Sequence, residues 1–174
     1  MPHLHLSLQA GDDLVLKRMK RRHSRAEAIA VARRARALRP EMALGADLIA
    51  GFPTETEEMF QRSVDLVAEC GLAFLHVFPY SPRPGTPAAR MPQVPDAIAK
   101  ERAARLRQAG DAQLAAELQS RIGSETDVLI ERADLGRAAF YGTVSFSADG
   151  EVGSVRRMRL VGTDGCNLVG VPSE

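Results

Sequence analysis

Cysteine is scarce in this chain of 174 residues. Only Cys70 and Cys166 occur, far apart and in no CxxC or CxxxCxxC grouping. Two lone cysteines predict reduced thiols and exclude a cysteine cluster able to hold zinc or an iron–sulfur centre unaided. Long apolar runs are also missing. No stretch approaches the roughly 18 residues a membrane-spanning helix needs, so a membrane partner is not expected. No basic-then-apolar leader opens the chain, and with the cysteine usage this predicts a cytoplasmic location. Net charge is nearly absent, 23 Lys+Arg against 22 Asp+Glu. Internal repeats and low-complexity tracts are lacking too. An apolar fraction of 45% and a charged fraction of 26% then fit an ordinary globular chain.

The balanced charge hides an uneven distribution. Between Lys17 and Arg39 stand Lys17, Arg18, Lys20, Arg21, Arg22, Arg25, Arg33, Arg34, Arg36 and Arg39, against a single Glu27. Such an excess suits an anionic partner such as RNA, and suits a solvated helix face equally.

Three strand–helix units are legible in the first 120 residues. His3, His5, Ser7 and Gln9 alternate with Leu4, Leu6 and Leu8, the period of a strand with one polar face. Asp12 and Asp13 read as helix caps, and Ser24-Arg25-Ala26-Glu27 as a capping box that opens a helix ended by Pro40. A second strand is expected over Met42 to Ala50 and a helix from Thr54–Glu57 to Gly71. A third strand follows over Leu72 to Tyr80, then the stiff loop Ser81-Pro82-Arg83-Pro84-Gly85-Thr86-Pro87. A long helix is expected from Asp96 to Gln119, its stripe formed by Ile98, Arg102, Leu106, Gln113, Leu114 and Leu118. Strand–helix alternation predicts parallel strands with ligands at their C-terminal ends. One sheet face then gathers His3, His5, Ser7 and Gln9 with Gly45, Asp47, Ile49 and Gly51, and with Phe74, His76, Phe78 and Tyr80. Each histidine alone is more commonly a satisfied polar residue than a ligand. Three strands cannot close a barrel, so half of one is expected.

From Arg121 the pattern changes to short strands (Thr126–Glu131, Ala138–Phe146, Gly153–Val161, Asn167–Val171) between turns such as Ala148-Asp149-Gly150 and Thr163-Asp164-Gly165. This predicts a small antiparallel barrel or sandwich, with a domain boundary near residue 120 (1–120 and 121–174). Arg157 and Arg159 share one face of a strand there and are candidate phosphate contacts. The module nonetheless carries 6 Lys+Arg against 8 Asp+Glu.

Three segments together resemble the radical S-adenosylmethionine (SAM) tRNA methylthiotransferases. They are His5-Leu6-Ser7-Leu8-Gln9-Ala10-Gly11-Asp12-Asp13 with the following Leu16 to His23, Asp47 to Thr56, and Phe78 to Ala88. The tail from about residue 120 is similar to the TRAM module that ends these enzymes. The wording of the segments is most similar to the branch that installs a methylthio group at C2 of threonylcarbamoyladenosine beside the anticodon. A branch acting on isopentenyladenosine is the alternative, as is a noncatalytic tRNA-binding fragment.

The resemblance implies an α/β fold: the second half of a radical-SAM (βα)6 partial barrel, followed by a small all-β TRAM-like barrel. It implies a transferase using SAM and two [4Fe–4S] clusters, and the tRNA anticodon stem-loop as partner. It places Gln9, Asp47, Gly51, Phe78 and Tyr80 around SAM, and Lys17, Arg18, Lys20, Arg21, Arg22, Arg157 and Arg159 on RNA. It assigns no catalytic residue and no metal ligand, because the family's cluster cysteines lie upstream of the matched segments. Ala10 stands where the family commonly has serine. A chain without those cysteines is expected to be inactive alone, and either to work with a separately encoded N-terminal half or to be an incomplete gene product.

Overall fold

The strands and helices follow the order that the hydrophobic periods prescribe. In the computed structural model, residues 1–147 and 150–173 are described. β1 (His3–Gln9), β2 (Ala43–Ala50) and β3 (Leu72–Pro79) form a parallel sheet in the order β1-β2-β3. The connections run through α1 (Asp13–Arg18), α2 (Arg25–Leu38) and α3 (Glu57–Cys70), and α4 (Asp96–Arg121) follows β3.

Local chemistry sets these boundaries. Asp12 caps α1 by accepting the Leu14 and Val15 amides, and Ser24 and Glu27 complete the capping box of α2. Thr56 caps α3, which ends at Gly71 in the left-handed conformation (φ 57°). Arg36 of α2 then donates to the Cys70 and Gly71 carbonyls (2.8 and 2.7 Å), satisfying acceptors left over at that helix end.

Leu4, Leu6 and Leu8 of β1, with Leu44, Leu48 and Leu72, pack on one side of the sheet against Ala28 and Ala32 of α2, Phe60, Leu66 and Val67 of α3, and Ala103 and Leu106 of α4. α4 meets the expected stripe at Arg102, Leu106 and Leu118 and departs from it at Ile98. Its buried residues are Ala99, Arg102, Ala103, Leu106, Gly110 and Leu118, whereas Ile98 is 41% exposed. Small residues face the sheet because the helix lies close to it: Ala99 occupies the space a side chain at Gly51 would need, and Leu75 the space at Gly110.

The C-terminal strands β4 (Glu125–Arg132), β5 (Leu135–Ala138), β6 (Thr143–Ser145), β7 (Val155–Thr163) and β8 (Leu168–Pro172) form a closed barrel in the order β4-β5-β6-β8-β7. The single strand expected over Ala138–Phe146 is instead a turn and a short strand, with Tyr141 at φ 80°. The Asp164 turn forms as expected, its carboxylate accepting the Cys166 and Asn167 amides. Ala148 and Asp149 of the other expected turn lie outside the described residues.

The barrel packs against the sheet at the N-terminal ends of the strands. Ala43, Leu114 and Leu118 share its core with Val128, Phe140, Met158 and Leu168. The Tyr141 ring stacks on His3 (4.7 Å between centroids) and meets Phe74 edge-on (5.7 Å). Arg121 lies over Phe140 (4.5 Å) and donates to the Glu41 carbonyl (2.8 Å). His3, expected on a ligand cavity, is therefore a packing residue at this seam. Burial, then the neighbouring His5, hold its imidazole below the ordinary histidine range.

Candidate functional site

With the N-terminal strand ends covered by the barrel, the open end of the sheet is the C-terminal one. A groove runs there between the β3–α4 loop and the segment around α1. One part, about 530 Å³, is lined by Ile49, Phe78, Pro79, Tyr80, Ser81, Arg83, Thr86 and Ala88. The adjoining part, about 360 Å³, shares Ile49, Thr86 and Ala88 and adds Gln9, Phe52 and the cations Arg18, Lys20 and Arg21. Aromatic and aliphatic walls with a few polar groups at a strand-end crevice are the usual make-up of a small-molecule site.

Gln9 reaches this groove by a local irregularity. An extra residue in β1 between Leu6 and Gln9 shifts the register, so Gln9 pairs with Leu48. Its φ of 70° is left-handed, a conformation that costs about 1–3 kcal/mol for a non-glycine residue and clusters at ligand sites. Lys20 (φ 57°) and Thr54 (φ 64°) share that conformation in neighbouring loops, and Arg18 donates to the Thr54 carbonyl (3.3 Å). The alternation expected along β1 thus runs through Leu8 and breaks at Gln9.

The remaining sequence candidates separate. Phe78 and Tyr80 line the groove, and Tyr80 also packs edge-on against Phe52 (5.2 Å). Asp47 lies deeper on the same sheet face, bridged to His5 Nε2 (3.0 Å) and His76 Nδ1 (3.2 Å). Burial works to raise the Asp47 carboxyl. The hydrogen bonds and charge of His5, then of His76, outweigh it and hold the group below the ordinary aspartate range. Gly51 is buried with φ 75°, and Ala99 of α4 occupies the space that a side chain there would need. Its amide donates to Glu55 Oε2 (2.9 Å), and the same oxygen accepts from Arg102 (2.9 Å). Arg102 also donates to the Glu55 carbonyl (3.0 Å). This buried pair fastens the Gly51–Glu55 turn to α4; the sequence places Arg102 on the α4 stripe but gives no sign of its partner Glu55.

The cationic candidates differ in how they are held. Within the Lys17–Arg39 stretch, Arg25 pairs with Glu69 and Arg39 with Glu41, while Arg36 caps α3. Among the described residues no ion pair engages Lys17, Lys20, Arg21 or Arg22, and Lys20 and Arg21 border the groove. Arg157 and Arg159 face outward from β7 as expected. They lie opposite acids on β4, however: Arg157 is 3.1 Å from Asp127, and Arg159 3.2 Å from Glu125.

Neither cysteine is arranged for cluster binding. Cys70 is buried in the helix-side core, and burial pushes its thiol up, away from the thiolate that ligates metal. Cys166 is exposed in the β7–β8 turn of the barrel. The residues present do not fit a [4Fe–4S] cluster, whose ligation requires several converging thiolates.

Fold and groove define a class: an α/β partial barrel with a ligand crevice at its strand ends and an appended five-stranded β-barrel. The likenesses to known proteins agree with that class. Residues 1–67 match the family model of the Radical SAM superfamily. The chain is 50% identical over 164 residues, 94% of its length, to the threonylcarbamoyladenosine tRNA methylthiotransferase MtaB of Rickettsia prowazekii. It is 40% identical over 98% of its length to the tRNA-2-methylthio-N(6)-dimethylallyladenosine synthase of Ruegeria sp.. Over nearly its whole length the chain is thus similar to radical SAM tRNA methylthiotransferases, and it spans 39% and 40% of the length of these two relatives. Among solved structures, the coproporphyrinogen III oxidase HemN of Escherichia coli, a radical SAM enzyme, shares the fold with a TM-score of 0.50 at 18% identity. That likeness covers 100% of this chain and 46% of the other.

Proposed function

We propose that this chain is the substrate-facing, C-terminal part of a methylthiotransferase that acts on threonylcarbamoyladenosine beside the tRNA anticodon. The observation that carries the branch is identity: 50% to the threonylcarbamoyladenosine relative against 40% to the dimethylallyladenosine one, over comparable shares of the chain. In this reading SAM lies in the groove against Ile49, Phe78 and Tyr80, with Gln9 and Arg83 as its polar partners. SAM would supply the radical when reduced by a cluster, whose ligands are not among the two cysteines of this chain. The residues of this chain hold and orient SAM and the anticodon stem-loop.

Arg18, Lys20 and Arg21 at the groove edge, with their chain neighbours Lys17 and Arg22, supply the phosphate contacts, and the β-barrel serves as a TRAM-like second RNA surface. A cytoplasmic location accords with such a substrate, and no helix among the described residues is long and apolar enough to cross a membrane.

Fluorescence anisotropy with three labelled anticodon stem-loops tests the reading. The loops carry unmodified adenosine, threonylcarbamoyladenosine or dimethylallyladenosine at the same position. The expected order places threonylcarbamoyladenosine tightest, by about tenfold over dimethylallyladenosine, the range that one or two added hydrogen bonds supply. Preference for dimethylallyladenosine would move the chain to the other branch, and no binding to any loop would remove the RNA-facing role.

A further inference from the structure

The concave face of the sheet carries a second constellation, deeper than the groove and independent of the SAM reading. His5, Asp47 and His76 come from three adjacent parallel strands. Asp47 is the register partner of His76, and His5 that of Gly45. The three residues project from the face opposite the helices. Asp47 Oδ1 is 3.0 Å from His5 Nε2 and 3.2 Å from His76 Nδ1, and one ligand atom from each residue lies within 4.8 Å of the others. Gly45 makes room for this arrangement. A side chain there would come within 2.7 Å of His5 Nδ1 and 2.6 Å of the Phe74 carbonyl.

We propose that His5, Asp47 and His76 bind a single divalent first-row transition ion, of the zinc or ferrous type. Two imidazoles and one carboxylate are a donor set that suits these ions and leaves coordination positions open. The spacing agrees. Ligand atoms about 2.0–2.2 Å from a common ion, at angles between octahedral and tetrahedral, are about 2.9–3.5 Å from one another. The two Asp47–histidine separations fall inside that range, and the two histidine ligand atoms lie within 4.8 Å of each other. Three strands of one sheet hold the donors, so little ordering is needed on binding. The His5 side chain is 28% exposed, that of Asp47 28% and that of His76 56%, so an ion has a route in and its open positions face the concave side. His3, one pleat below, lacks a carboxylate neighbour and is packed by Tyr141 and Phe74.

The same contacts would serve a plain hydrogen-bonded triad, and a metal titration separates the two. The probe is Co²⁺ added to the metal-free 174-residue chain, followed by visible absorption and by calorimetry, with Zn²⁺ as competitor. One equivalent is expected to bind and to be displaced by Zn²⁺. His5→Ala, Asp47→Asn and His76→Ala should each weaken binding by about a hundredfold or more, the upper range for loss of even an outer-shell group. Asp47→Asn keeps the shape and a hydrogen-bonding oxygen, so weaker binding there reports the anionic ligand rather than folding. Cys166→Ala and His23→Gln are expected to bind as the parent does. Absence of one-equivalent binding in the parent, or binding that survives Asp47→Asn or disappears with Cys166→Ala, would overturn the proposal.

Discussion

Replacing Arg102 by alanine is expected to lower stability by about 3–5 kcal/mol, the cost of leaving one partner of a buried ion pair uncompensated. The side chains of Arg102 and Glu55 are 7% and 0% exposed, and their contact is 2.9 Å. Glu55 also accepts the Gly51 amide, so its carboxylate cannot turn to water when the guanidinium is removed. Burial already pushes the Glu55 carboxyl up, and the Gly51 amide and Arg102 hold it back. Without Arg102 the acid should take up a proton at higher pH, and the turn should loosen from α4. The Phe60 ring loses one of its two cationic neighbours (5.3 Å) and keeps Arg105 (4.6 Å). For a chain of this size the melting temperature should fall by about 10 °C. The double replacement Glu55→Gln with Arg102→Met should cost less than Arg102→Ala alone, because it leaves no buried charge. A thermal melt that moves by under about 2 °C for Arg102→Ala would show that the pair does not fasten the turn.

The second large effect concerns RNA. Reversing Arg21 and Arg22 together to glutamate should weaken anticodon stem-loop binding by about tenfold to a hundredfold at low salt. It should also flatten the plot of log affinity against log salt by about one unit for each phosphate no longer neutralised. The matched reversal of Arg157 and Arg159 should do far less. Those cations already face Glu125 and Asp127 across the β4–β7 ladder, so the surface they belong to is nearly neutral. Equal weakening by the two double reversals would relocate the RNA contact to the barrel. An unchanged salt slope for Arg21 and Arg22 would remove the basic stretch from it altogether.

Much of the scaffold is legible in the sequence because it is set locally. Ser24 with Glu27, Thr56 and Gly71 mark helix ends through hydrogen bonds made within a few residues. The alternation in β1 separates the leucines that pack on helices from His5, which does not. For α4 the size of the side chains misleads at Ile98, while Arg102, Leu106 and Leu118 are buried as expected. Its tightest approach to the sheet is made by Ala99 and Gly110, where smallness is what packs, and not by large residues such as Ile98. The β5–β6 turn has the composition of a strand at Phe140 and Tyr141, while a left-handed Tyr141 breaks the chain direction.

At the site, the face shared by His5, Asp47 and His76 follows from period two, but their common level does not. Register between parallel strands is fixed by crossovers of many residues, so it is a property of the assembled sheet. The Glu55–Arg102 pair is separated by 47 residues and depends on where α4 docks. Gly51 is expected to admit a ligand, yet the same lack of a side chain serves helix packing.

A chain whose only two cysteines lie apart, one buried in the core and one exposed on the barrel, should fail to assemble a [4Fe–4S] cluster by itself. Anaerobic reconstitution of the 174-residue chain with ferrous iron and sulfide, read by absorbance and by electron paramagnetic resonance after reduction, tests this most directly. The predicted result is no [4Fe–4S] signal above that of a Cys70→Ala, Cys166→Ala double variant. A cluster bound in stoichiometric amount by this chain alone would contradict it.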